Sequence, residues 1–168
     1  MIAFTVYGRP ASKGSTRSFV PRTAEGYAKR QDGSPIVVTR PDDERVISWQ
    51  GDVSKACAEA MASQGIELQR DGAIAVRACF YRLRPQGHYG TGRNALTLKA
   101  SSPQRPCSRP DTDKLMRAIL DALKGTAYLD DGQVADQHGR QYYGDQARAE
   151  IEVISLVPEP AQQALAVG

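Results

Sequence analysis

Pro110-Asp111-Thr112-Asp113-Lys114-Leu115-Met116-Arg117-Ala118-Ile119-Leu120-Asp121-Ala122-Leu123-Lys124-Gly125 is the stretch that decides how the rest of the chain is read. Leu115, Ile119 and Leu123 fall on one stripe at helical spacing, and Gly125 stands where a helix stops. The run therefore predicts an amphipathic helix from Asp111 to Lys124. Asp111 and Asp113 at its start are ordinary helix chemistry, since carboxylates suit the N-cap and the first turn. A second acidic pair, Asp130-Asp131, follows the helix, and Asp-Asp-Gly taken alone is ordinary turn chemistry. Two such pairs around one helix make both plain explanations less comfortable. The helix runs ~20 Å, so only the tertiary fold can bring Asp131 to Asp113.

Working outward, the charge reverses at this helix. From Gly72 to Pro110 the basic residues are Arg77, Arg82, Arg84, Arg93, Lys99, Arg105 and Arg109, with no Asp or Glu among them. From Asp111 to Asp136 the carboxylates are Asp111, Asp113, Asp121, Asp130, Asp131 and Asp136, against Lys114, Arg117 and Lys124. The first segment suits a polyanion and the second a divalent cation, as a metal-dependent nucleic-acid enzyme requires. The plainer alternative is that both blocks are solvated faces.

Ile2, Phe4 and Val6 alternate with Ala3, Thr5 and Tyr7, which predicts a first strand ended by Gly8-Arg9-Pro10. Residues 8–44 are rich in Gly, Pro, Ser and Arg, with Ile36-Val37-Val38-Thr39 as a short edge strand. Val46, Trp49, Val53, Ala56 and Ala60 recur at helical spacing from Arg45 to about Ser63, and Asp42-Asp43-Glu44 favour the start of that helix. Trp49 reads as core. Ile74, Val76, Ala78 and Phe80 predict a strand ending near Arg84-Pro85. The Gly- and Pro-rich residues 85–110 are too long for an ordinary connection and read as functional or mobile. Val134 to Tyr143 and Ala149 to Val157 read as strands joined at Gly144-Asp145 in a hairpin. The order implies one α+β domain over residues 1–157, a mixed sheet with two main helices on one face, and a flexible tail over residues 158–168.

Composition narrows the function. The chain has 168 residues, 40% hydrophobic and 24% charged, with a net charge of +3, as expected of an ordinary single-domain globular protein. No apolar run approaches the ~20 residues of a membrane span. Met1-Ile2-Ala3-Phe4 does not begin a secretory signal, so the expected address is the cytoplasm. Cys57, Cys79 and Cys107 are odd in number and widely spaced, which argues for reduced thiols rather than a disulfide framework or a zinc knuckle. With only His88 and His138 available, oxygen ligands are the better source of metal chemistry. Gly87-His88-Tyr89-Gly90-Thr91-Gly92-Arg93 lacks the context of a dinucleotide fingerprint or a P-loop, so no nucleotide cofactor is expected. Magnesium takes hard oxygen ligands and keeps several waters, so two or three Asp carboxylates suffice to hold it against a phosphodiester. A neighbouring cation is its usual companion. Arg117, four residues after Asp113, fits that part, or forms a plain ion pair with Asp113 or Asp121.

The run from Pro110 to Leu123, continued by Tyr128-Leu129-Asp130-Asp131-Gly132-Gln133-Val134, resembles the RusA family of Holliday junction resolvases, small endonucleases of phages and prophages. The family pattern reads roughly Pro-Asp-x-Asp-Asn-Leu-x-Lys, then Asp-Ala-Leu, then Asp-Asp-x-Gln-Val. Gly8-Arg9-Pro10-Ala11-Ser12-Lys13-Gly14 is similar to the family's first strand exit and basic loop, and residues 22–40 and the tail lie outside the resemblance. The resemblance implies a magnesium-dependent endodeoxyribonuclease, with manganese able to substitute, that resolves four-way or other branched DNA in recombination and repair as a homodimer. It implies Asp111, Asp113 and Asp131 as metal ligands and Arg117 as the catalytic cation. Lys13, Arg17, Arg93, Lys99, Arg105 and Lys114 are the expected DNA contacts. The chain departs from the pattern at Lys114 (usually Asn), Arg117 (usually Lys) and Gln141 (commonly basic). The rival from another class is a DNA-binding protein without catalysis, for which Asp131 beside a polyanion has no use.

Overall fold

A computed structural model describes residues 1–14, 16–24, 26–41 and 44–156. Alternation along the first segment produces β1 (Ile2–Tyr7), with Ile2 and Val6 buried. Four short strands follow: β2 (Thr16–Phe19), β3 (Arg22–Thr23), β4 (Gly26–Tyr27) and β5 (Val38–Pro41). The strand expected around Ile36–Thr39 thus begins at Val38, and it pairs with β2 in a separate ribbon rather than edging the main sheet. Helix α1 (Glu44–Gln64) buries Val46, Trp49, Val53, Cys57 and Met61, one residue per turn. Asp42 and Asp43, expected to favour its start, lie outside the described residues, as does the tail over residues 158–168.

The most apolar strand, β6 (Ile74–Leu83), buries Ile74, Ala75, Val76, Ala78 and Phe80. Helix α2 (Thr112–Leu123) then connects it to β7 (Val134–Gly144), which pairs parallel to β6. The last strand, β8 (Arg148–Ser155), completes a four-stranded mixed sheet of order β1-β8-β6-β7. The expected β7–β8 hairpin is not formed. After β7 the chain crosses the end of β6 and returns as β8 on its other side, antiparallel to both β6 and β1. The side chains explain this choice. A hairpin would place β7 inside the sheet, but Asp136, Gln137, His138 and Arg140 are exposed and suit an edge, whereas β8 buries Ala149, Ile151 and Val153.

Helix α1 packs on β1 and on α2, and α2 packs on β7. Between helices and sheet lie Phe80, Ile74, Leu115, Ile119, Leu123, Ile151 and Val53, each essentially inaccessible to solvent. Each such side chain contributes ~1.5–3 kcal/mol on removal from water. Gly139 of β7 lies under the first turn of α2, where a Cβ would come within 2.6 Å of Met116 Cγ and 2.8 Å of Thr112 Cγ2. Only glycine lets that turn sit so close to the sheet. No helix among the described residues is long and apolar enough to cross a membrane.

Candidate active site

The first turn of α2 carries Asp111 at the N-cap and Asp113 beyond it, both exposed. The Asp111 carbonyl accepts from the Leu115 amide (3.1 Å), as an N-cap carbonyl should. Its carboxylate, however, takes no hydrogen bond from the helix amides. It accepts instead from Lys114 Nζ at 2.9 Å, and this bond and charge hold the Asp111 carboxyl below the usual carboxylate range. Asp111 thus occupies a capping position without capping. Arg117, exposed one turn after Asp113, forms no ion pair with Asp113 or Asp121 among the described residues. Asp121 is occupied by Lys13 Nζ and by Gln50 Nε2 at 3.3 Å.

This turn is held from below. Gln141 Nε2, on β7, donates to Pro110 O (3.0 Å) and to Thr112 Oγ1 (2.9 Å), the two residues that flank Asp111. Arg82, at the end of β6, donates to Ser108 O and Arg109 O, each at 2.9 Å, and to Gln141 Oε1 at 3.5 Å. Two sheet strands therefore fix the backbone that carries the carboxylates. The sequence reading missed this pair as site residues, counting Arg82 as one of a basic run and Gln141 as a departure. The signal was the position of Arg82 and Arg84 two apart at a strand end, which puts both on one face.

At the other end of α2 the acids behave differently. Gly125 (φ +77°) ends the helix, and Tyr128 tucks beneath it, fully buried, with its hydroxyl donating to Leu120 O at 2.8 Å. Asp130 then caps a single 3₁₀ turn, Asp131–Gln133: its carboxylate accepts from the Gly132 amide (2.9 Å), and Gln133 Oε1 accepts from the Asp130 amide (2.9 Å). This is a capping box. The Gly132 amide and then Lys124 hold the Asp130 carboxyl below its usual range. Asp131 caps nothing; its exposed carboxylate lies 3.4 Å from Lys124 Nζ. The Lys124 ammonium, shared between Asp130 and Asp131, is pushed above the usual lysine range.

The three acids expected to share a metal are consequently split. Asp111 and Asp113 sit at the start of α2 and Asp131 beside Lys124 at its end, about 16 Å along the axis at the helical rise. The strand below gives the same answer, because Gly139 underlies Thr112 while Asp131 precedes the start of β7. No three His, Cys, Asp or Glu side chains gather into a metal-sized group among the described residues.

The expected DNA contacts also divide. Lys13 is tied to α2 twice, by its ion pair to Asp121 and by its amide, which donates to Lys114 O at 3.0 Å. Lys114 is paired to Asp111. Arg17 lies on β2 opposite Arg40. In the long connection, Lys99 Nζ donates to Gly87 O (2.8 Å), Arg105 lies over the Tyr142 ring, and Arg93 is exposed in a short turn. Not one of the seven basic residues between Gly72 and Pro110 forms an ion pair among the described residues, so that segment keeps its full charge. A surface concavity of about 640 Å³ lies on the sheet face away from the helices, among Arg77, His138, Arg140, Glu150 and Glu152, and touches none of the three acids.

The family model described as Endodeoxyribonuclease RusA matches residues 19–154. The match takes in residues 22–40, which the motif resemblance left out, and begins after Gly8–Gly14, which it included. Among curated proteins, the chain is similar to the uncharacterized protein YqaN of Bacillus subtilis (strain 168). The two are 25% identical over 153 residues, covering 90% of this chain and 94% of that protein.

Proposed function

The chain belongs to the endodeoxyribonuclease RusA family, whose nuclease activity resolves Holliday junctions, and from that premise we propose that it hydrolyses phosphodiesters of branched DNA with a divalent metal held at the start of α2. The observation that carries this reading is the Asp111 carboxylate, which stands at an N-cap yet takes no hydrogen bond from the helix amides, meets only Lys114, and lies exposed two residues from Asp113. The donors fit magnesium or manganese, which take hard oxygens and accept one or two carboxylates with water completing the shell. When bound, such an ion makes a water more acidic and neutralises charge on the phosphoryl oxygens. Asp111 and Asp113 hold it. Arg117, without a carboxylate partner among the described residues, faces the charge that develops on the phosphoryl group, and the basic segment before α2 grips the backbone.

The third carboxylate follows from the split between the two ends of α2. A two-fold axis across α2 sets the start of one helix beside the end of its symmetry mate. In the homodimer we propose, Asp131 of a second copy completes the site that Asp111 and Asp113 begin. The nuclease reading is tested by incubating the purified protein with a labelled four-way junction, with and without magnesium or manganese. Nicking only with metal is expected, and junction binding without cleavage in either metal overturns it in favour of a DNA-binding protein.

A further inference from the structure

Next to the carboxylate turn is a cleft of about 350 Å³, walled by Pro10 at the exit of β1, Pro85 after β6 and Ala147 in the β7–β8 turn, with Pro110 and Leu115 on the α2 side. Its size falls in the range of small-molecule sites, roughly 300–1,000 Å³. Three arginines line it: Arg9, Arg82 and Arg84. Arg82 is oriented by the carbonyls of Ser108 and Arg109, and Arg84 by Pro103 O (2.8 Å) and the Tyr143 ring (4.2 Å). Arg9 has no ion pair among the described residues. Carbonyls and rings orient these groups without neutralising them, so an apolar cleft carries three positive charges and no carboxylate. It calls for a ligand with an apolar, flat part and attached anions.

We propose that this cleft is a nucleotide subsite: it takes the base and sugar of one unpaired nucleotide next to the phosphate that is cut, with the three arginines on the flanking phosphates. The inference rests on the nuclease reading above and adds to it the selection of the cleavage site. Its place supports this. Pro110 lines the cleft and immediately precedes Asp111, so an occupant lies one residue from the first carboxylate. The nucleotide must be unpaired, because a cleft of this size has no room for a stacked base pair, and strand exchange at a junction is where unpairing is least costly. Pro85, exposed, and the half-buried Pro110 and Ala147 offer a rigid apolar surface to the base. The arginines have no base selectivity in this arrangement, so the shape of the cleft does the selecting.

The test uses four-way junctions carrying a single abasic nucleotide, moved one position at a time across the cleavage site. With the parent protein and magnesium, one position is expected to slow cleavage of its strand on the order of tenfold or more, with junction affinity little changed. Ala147→Phe, which fills the cleft from a turn, should cut the intact junction as slowly as the parent cuts that abasic one and lose sensitivity to the missing base. Should this variant fail to fold, the abasic series with the parent protein decides alone. Cleavage by the parent that is indifferent to every missing base overturns the subsite and leaves the nuclease reading standing. A parent protein that cuts no junction in either metal overturns both.

Discussion

Two acidic turns bracket α2, and nearly the same residues do opposite things in them. At Asp130 the carboxylate caps the turn that Gln133 closes from the other side. At Asp111 the carboxylate has the N-cap position of a helix four times as long and leaves its amides unserved. Capping is the use that local chemistry favours for Asp. A carboxylate that forgoes it, exposed beside a second one, is available to something outside the chain. The comparison also separates the neighbours Asp130 and Asp131: the first is engaged by backbone, the second only by Lys124.

The sharpest way to break the comparison is to neutralise each acid in turn. Asp111→Asn, Asp113→Asn or Asp131→Asn should each lower junction cleavage on the order of a hundredfold or more, with binding unchanged or tighter. Asp130→Asn should keep most of its activity and nearly all of its Tm, because an amide oxygen accepts the same capping hydrogen bond. A reversal between Asp130 and Asp131 in single-turnover assays would show that the capping acid, not its neighbour, does the chemistry. Arg117→Ala comes next, with an expected rate loss of about 3 kcal/mol in the barrier, little loss of binding, and recovery of much of the rate in Arg117→Lys. A variant that cuts at the parent's rate but melts earlier would make Arg117 structural.

The support beneath the first turn gives a subtler probe. Gln141→Leu removes the amide that donates to both residues flanking Asp111, and manganese affinity should drop ~10–100-fold, as for other groups that orient metal ligands. Titration of the manganese electron-spin signal measures this; an unchanged affinity would mean that Arg82 and the packing on Gly139 suffice. The contrast between engaged and free groups extends to the cations. Arg93→Ala should lower the log-log salt slope of junction binding by about one unit, while Lys13→Ala, whose ammonium is held by Asp121, should lower Tm and leave the slope nearly unchanged. Equal slopes for both variants and parent would remove the long connection from the interface.

The smallest effect is a titration. Lys114 holds the Asp111 carboxyl below its usual range, so the pair stabilises the fold above the ordinary carboxylate pKa and is lost as pH falls through the depressed one. Lys114→Met should move the Asp111 carboxyl upward toward its usual value in a carbon-13 NMR titration, and the acid limb of metal binding should move upward with it. No movement would mean that Lys114 does not hold this carboxylate in solution.

Much of this was legible in the sequence. The stripe Leu115-Ile119-Leu123, the alternation in β1 and β6, and the one-sided helices follow from local periodicity, which a single chain displays. The order of the sheet does not, because β7 and β8 each read well as hairpin partners; the exposure of Asp136, Gln137, His138 and Arg140 reveals the edge only once β6 is known to take β8. The acids could be picked from their pattern, but their separation could not, since Tyr128 docking on Leu120 fixes the chain after α2 and Tyr128 carries no sign of that in its neighbours. The clamp of Arg82 and Gln141 was hidden for a similar reason: its partners are backbone carbonyls, which no sequence marks.

The central claim is that the two acidic turns, apart in one chain, meet between two. Asp113→Asn and Asp131→Asn chains, each inactive alone, can be co-expressed with different tags and purified as the mixed dimer. One of its two sites then retains all three carboxylates, and the account predicts magnesium-dependent junction nicking at about half the rate of the parent dimer. A mixed dimer as inactive as its parents would contradict it, placing all three carboxylates in one chain or Asp131 outside the site.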